Sequence, residues 1–221
     1  MDLILILAIL SIPAIAQLQV TTSYSKYKNI ENEKGLTGQE VAAEILKKNG
    51  LEKVYVVETE GNLSDHYDSS RKVVRLSKDI YNGTSIASMA VAAHEVGHAI
   101  QDKDGYTFMR IRSAIYPVVN FGTQFSYIIL LIGMLLGSMD FVNLGIALTA
   151  LGLVFQVVTL PVEFDASTRA KKELDSIYQV SKSDELGVKK MLDAAAMTYV
   201  AGVLASALNI LRLIMATRGD E

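Results

Sequence analysis

His94, Glu95 and His98 stand in the order H-E-x-x-H inside residues 85–101, an alanine-rich apolar run that should be helical. Residues four apart on a helix share a face, so both imidazoles can reach one metal ion. Glu95, one step from the first histidine, can hold a water on that ion and act as its general base. The chain has three histidines in all, and two of them are in this motif. The plain alternative is a pair of partly buried helix histidines beside a salt-bridged glutamate. The favoured chemistry is that of a zinc hydrolase. With no cysteine in the sequence, disulfides and thiolate ligands are excluded, and histidine and carboxylate are left as ligand types.

The elements that must position these residues belong to a strongly apolar chain. Half of its 221 residues are hydrophobic and its mean hydropathy is positive. The apolar residues cluster in four segments, 3–20, 116–139, 141–161 and 194–215, each close to the roughly 20 residues that cross a bilayer as a helix. The polar remainder is too small to wrap four such segments as core helices. The first segment ends in Ala14-Ile15-Ala16, which resembles a signal-peptidase site, so a cleaved signal competes with a retained anchor. The amino terminus has no positive charge, which favours the anchor. A formal net charge of −3, with no basic stripe carrying interleaved aromatics, excludes a nucleic-acid footprint.

Basic residues set the expected topology. Residues 21–113 contain 13 Lys/Arg and residues 163–193 contain 6, so 19 of the 21 fall in two regions that four spans place on one side. The positive-inside rule makes that side cytoplasmic, with the shorter loop carrying more of the argument.

Within the first polar region, Thr37-Gly-Gln-Glu40 fits a capping box that opens a helix over 41–48, stopped by Asn49-Gly50. Residues 53–59 and 72–77 read as strands, and Thr84 or Ser85 caps the motif helix. A small sheet beside an H-E-x-x-H helix suits a zincin, where an edge strand can pair with an extended peptide.

A catalytic zinc site needs a third protein ligand and an open position. In gluzincins that ligand is a glutamate on a later helix, and Glu163, directly after the third apolar segment, is the candidate. Its other reading is a carboxylate stabilised at a helix start. The charge count places Glu163 on the side of His94, which tilts the choice toward a ligand. His66, in Asp65-His66-Tyr67-Asp68, has three open readings: a fourth ligand in a resting enzyme, a transition-state donor, or a surface-loop histidine. Tyr67, Arg169 and Tyr199 are candidates to stabilise an oxyanion, although for Arg169 pairing with Asp165 four residues earlier is the favoured reading. Tyr199 lies among small residues of an apolar segment, where a structural role is also open.

Five stretches together carry a family resemblance: Gly35-Leu-Thr-Gly-Gln-Glu-Val-Ala, Asp65-His-Tyr-Asp, Val91-Ala-Ala-His-Glu-Val-Gly-His-Ala-Ile-Gln, Thr159-Leu-Pro-Val-Glu-Phe-Asp-Ala-Ser and Ala194-Ala-Ala-Met-Thr-Tyr-Val-Ala. Over nearly its whole length the chain resembles the membrane-bound neutral zinc metallopeptidases of bacteria, the YugP-like family. These are distantly similar to HtpX-type and CAAX-processing membrane proteases. The resemblance implies a zinc peptidase of the bacterial inner membrane. The distant relatives carry Glu-x-x-x-Asp, with the glutamate on zinc and the aspartate orienting a histidine. Here position 167 is serine and the nearby acid is Asp165, so the ligand role carries over to Glu163 while the orienting role of Asp165 does not follow directly.

The expected architecture is a mainly α integral membrane protein with about four transmembrane helices and a small α+β zincin (minigluzincin-like) domain. Its expected parts are an anchor (1–20), a catalytic domain (21–115), a transmembrane hairpin (116–161), a cytoplasmic helical segment with the third ligand (162–193) and a last transmembrane helix (194–221). The expected function is a zinc metalloendopeptidase of the cell membrane, with its site facing the cytoplasm. It would act on membrane or membrane-proximal proteins through Zn2+ on His94, His98 and Glu163, with Glu95 as base. Its partners would be a protein or peptide substrate and the bilayer, and no nucleic acid. The alternative is a non-catalytic membrane metalloprotein serving as scaffold or chaperone. A transporter is disfavoured by the lack of charges inside the apolar segments apart from Arg212, near the carboxyl-terminal end.

Overall fold

The structure is a computed structural model that describes residues 2–218; Met1 and residues 219–221, the ends of the expected first and last segments, lie outside the described residues. Seven helices and three short strands follow one another: α1 (Asp2–Tyr27), α2 (Gly38–Lys48), β1 (Tyr55–Thr59), β2 (His66–Asp68), β3 (Val73–Ser77), α3 (Lys78–Asn82), α4 (Ile86–Lys103), α5 (Thr107–Leu136), α6 (Met139–Tyr178) and α7 (Lys182–Arg218). Four of them, α1, α5, α6 and α7, are long and apolar enough to cross a membrane.

The chain forms two compact units, each assembled from separated stretches. One comprises residues 1–17, 107–161 and 198–221, and its described residues are helical apart from the turn at Gly137 and Ser138. Its α5 and α6 are joined at Gly137, whose φ of +62° is the left-handed conformation that glycine adopts without strain. The Ser138 amide bonds back to the Gly133 carbonyl at 2.9 Å, closing the turn.

The other unit, residues 18–106 and 162–197, holds the sheet and the motif helix. The strand order is β1-β3-β2, with β1 parallel and β2 antiparallel to β3, so β1 and β2 are the edges. The capping box expected at Thr37 is present: the Thr37 hydroxyl accepts from the Glu40 amide and the Glu40 carboxylate accepts from the Thr37 amide. Ser85 caps α4 by accepting from the Ser88 amide at 3.0 Å. The strand expected over 72–77 corresponds to β3. The one expected over 53–59 begins two residues later, with Val54 turned into the core instead. Val41 and Ile45 of α2, Leu76 of β3, Met89 of α4 and Leu174 of α6 form the buried centre of this unit. Removing several apolar side chains of this size from water, at about 1.5–3 kcal/mol each, outweighs any cap or ion pair as the force that seats α4.

Helix α6 contributes residues 139–161 to the first unit and 162–178 to the second. Its 40 residues are twice the roughly 20 that cross a bilayer as a helix. Apolar composition therefore marked only its first part.

Candidate metal centre

The apolar, alanine-rich face of α4 packs into its unit so tightly that Ala90, Ala92, Val96 and Ala99 have almost no exposed surface. This sets the rotation of the helix and turns His94 and His98 toward α6. The distance is set by Gly97. A Cβ built there would lie 2.6 Å from the Ala166 carbonyl oxygen and 3.2 Å from the Ala166 carbonyl carbon and Cα. Only a residue without a side chain lets the two helices approach this closely, and Glu163 lies one turn before Ala166.

The outcome is a cluster of three donors. His94 Nε2 is 3.3 Å and His98 Nε2 is 3.6 Å from the same oxygen of Glu163, Oε2. The ligand atoms of the three residues all lie within 4.8 Å of one another. Glu163 and His98 are buried, and the two rings stand edge to face with centroids 4.8 Å apart. Nitrogen and oxygen ligands at the usual 2.0–2.1 Å from a tetrahedral ion sit about 3.4 Å from each other, so two of the three edges already have the required length. Both Nδ1 atoms face other partners, Ser167 Oγ at 3.2 Å from His94 and Gln101 Oε1 at 2.9 Å from His98. Each ring thus has its Nε2 left to converge with Glu163. Two imidazoles and one carboxylate, with no thiolate, form a donor set suited to catalytic zinc.

A sequence model of the family described as "Putative neutral zinc metallopeptidase" matches residues 2–218. The chain belongs to that family. It is 46% identical over 211 residues, covering 96% of this chain and 94% of the relative, to a Bacillus subtilis (strain 168) protein named "Putative membrane protease YugP". No solved structure matches the chain.

Glu95, next to His94 in the chain, is buried. Burial pushes its carboxyl above the usual range, the two imidazoles pull it back, and Glu163 and Asp65 push it up again; the net shift is upward. That is the direction a general base needs when it works near neutral pH. At His98, burial alone would lower the pKa, but the hydrogen bond to Glu163 and the charge of Glu95 outweigh it and raise the imidazolium. A proton and a metal compete for Nε2, so metal uptake must release that proton. Zinc affinity should therefore weaken as pH falls, by about tenfold per unit for one proton, beginning above the ordinary histidine value of about 6.5. Chelator competition between pH 8 and 5.5 measures this, and a flat profile would contradict it.

The remaining sequence candidates lie elsewhere or are engaged. His66 is exposed on β2, with Nδ1 2.8 Å from the Ser64 carbonyl, and is outside the three-donor cluster. The Tyr67 hydroxyl donates to Asp102 at 2.7 Å, and Lys72 pairs with the same carboxylate. Burial and Asp102 both drive the Tyr67 phenol pKa upward. Arg169 pairs with Asp165 at 2.6 Å and with Asp104 at 2.5 Å, which is the i+4 pairing its position allowed. Tyr199 belongs to the other unit, on α7. Asp165 is linked to His98 through Gln101, whose Nε2 donates to it at 2.8 Å.

Gln101 and the partner of Ser167 are not marked by any motif in the sequence. The available signal for Gln101 was its spacing: three residues after His98 on a helix, it shares that histidine's face. In the sequence Asp65 stands out as an acid flanking His66 and as part of a family-like stretch. Its carboxylate accepts from the Ser77 amide at 2.7 Å and the Ser77 hydroxyl at 3.1 Å, tying the start of β2 to the end of β3.

Proposed function

We propose that this chain is a membrane-embedded zinc metalloendopeptidase with a minimal gluzincin-like domain. The reading rests above all on the convergence of His94, His98 and Glu163 from two helices, with a buried glutamate, Glu95, beside them. His94, His98 and Glu163 hold Zn2+. When bound, zinc polarises the scissile carbonyl and makes water a stronger acid. The Glu95 carboxylate takes the proton of the attacking water and delivers it to the departing amine, which its raised pKa suits. Residues 18–106 with 162–197 are the zincin-like part. Strand β2, at the sheet edge and packed against α4, is placed to pair with an extended substrate. His66, at the start of that strand, is a candidate donor to the transition state.

The substrates are membrane or membrane-proximal proteins. Four apolar helices support a multi-pass location in the bacterial inner membrane. The concentration of Lys and Arg in residues 21–113 and 163–193 supports a cytoplasmic site.

One experiment tests the reading: zinc content and proteolysis of the purified full chain beside Glu95→Gln. The variant should keep its zinc and lose cleavage by about 10²–10⁴-fold, the usual contribution of a general base. Unchanged cleavage in the variant would overturn the assignment. Zinc binding without any cleavage by the wild type would favour a metal-holding scaffold.

A further inference from the structure

We propose that Gln101 is a positioning residue that dictates which nitrogen of His98 carries the proton, so that Nε2 is the lone pair offered to the metal. The inference rests on the metal-site reading above for what Nε2 binds, while the proton assignment follows from hydrogen-bond geometry alone.

Gln101 is wholly buried, with none of its surface exposed. One end of its side-chain amide lies 2.7 Å from the Val162 carbonyl oxygen and 2.8 Å from Asp165 Oδ2. A carbonyl and an ion-paired carboxylate can only accept, so the group facing them must be the NH2, and both of its hydrogens are used. The other end is then the carbonyl oxygen, which also can only accept. It faces His98 Nδ1 at 2.9 Å, so Nδ1 must carry a hydrogen. In a neutral ring that leaves Nε2 unprotonated, directed at Glu163 and free to bind a cation. Asp165 is itself held by Arg169 Nε at 2.6 Å, and Arg169 is steadied by Asp104. The chain of constraint therefore runs from Asp104 through Arg169, Asp165 and Gln101 to His98.

His94 has no equivalent. Its Nδ1 faces Ser167 Oγ at 3.2 Å, and a hydroxyl can donate or accept, so it fixes no tautomer. The amide of Gln101 therefore takes, for His98, the orienting task that a carboxylate performs in many zinc sites. It also ties α4 to α6 at the carbonyl next to Glu163.

The test uses the full chain in detergent micelles, labelled with ¹⁵N-histidine; three histidines keep the spectrum simple. Wild type should show a slowly exchanging Nδ1–H for His98 without metal, and Gln101→Leu should lose it. Zinc affinity by chelator competition should fall about 10–100-fold in Gln101→Leu, the usual cost of losing a partner that orients a ligand. Gln101→Glu keeps the acceptor for His98 but sets a second carboxylate against Asp165, so it too should bind zinc weakly. Adding Asp165→Asn to Gln101→Glu supplies a donor and should recover most of that loss, a rescue that damaged folding would not show. Zinc affinity within twofold of wild type in Gln101→Leu, or no rescue in the double variant, would overturn the inference. Absence of the protected Nδ1–H from wild type would count against it alone. A wild type that shows this signal yet takes up no zinc would instead count against the metal-site reading.

Discussion

Replacing Glu163 with alanine should leave the protein unable to retain zinc through purification and should reduce cleavage to background. Structural zinc sites bind with apparent free energies of about 10–16 kcal/mol shared among four ligands. One ligand is thus worth roughly 3 kcal/mol, or more than a hundredfold in affinity. The real loss should exceed that figure, because both imidazoles point at one oxygen of Glu163. Without the carboxylate, the two imidazoles lose the oxygen on which both converge, and nothing replaces that ligand atom. Metal content and chelator-competition affinity measure the effect. Zinc retained at wild-type affinity by Glu163→Ala would remove Glu163 from the ligand set. Glu163→Gln keeps the shape and one weak acceptor, and should fall between the two.

Gly97→Val should do comparable damage from a residue that touches no metal. The atoms facing Gly97 are the carbonyl group and Cα of Ala166, all backbone, with the nearest 2.6 Å from where a Cβ would stand. No side-chain rotation can relieve such a contact, so α4 and α6 must separate. Alanine provides a useful gradation. It gains about 1 kcal/mol of helix propensity over glycine, but its Cβ meets the Ala166 backbone and overpacking costs about 1–3 kcal/mol, so it should be destabilising on balance, by up to about 2 kcal/mol. Valine brings a larger clash and little propensity gain, and should cost roughly 3 kcal/mol or more. Both should weaken zinc binding, since Glu163 moves with Ala166 while His94 and His98 move with Gly97. Thermal unfolding and zinc affinity of the two variants test this. Gly97→Val with wild-type melting and affinity would show that the helices do not need this approach.

The elements of this protein were legible in proportion to the physical signal each left in the sequence. The pairing of His94 with His98 is a consequence of helical spacing alone. The Thr37 box and the Ser85 cap are local hydrogen-bond devices, and both occur where their residues stand. Apolar windows located the four long helices but not their ends. Helix α5 begins at Thr107, ahead of Arg110 and Arg112, because backbone hydrogen bonding continues where hydropathy lapses. The break between α6 and α7, with Gln179 at a φ of +46°, carries neither glycine nor proline and gave no sign. Strand β2 was also hidden: three residues, His66 to Asp68, are too few to show alternation, and tertiary pairing with β3 makes them a strand. In the site, Glu163 was legible through charge and chain position. Gln101 was not, because an amide acquires its meaning only from the Val162 carbonyl and Asp165, some 60 residues further on.

The order of the three donors along the chain has a consequence in time. His98 leaves the ribosome 65 residues (163 − 98) before Glu163, and both apolar helices of the 107–161 stretch are made in between. At about 5–20 residues per second, a nascent chain spends some 3–13 seconds with two imidazoles and no third donor. The proposed site thus cannot be complete until α5 and the apolar part of α6 have been synthesised, while α7 is still to come.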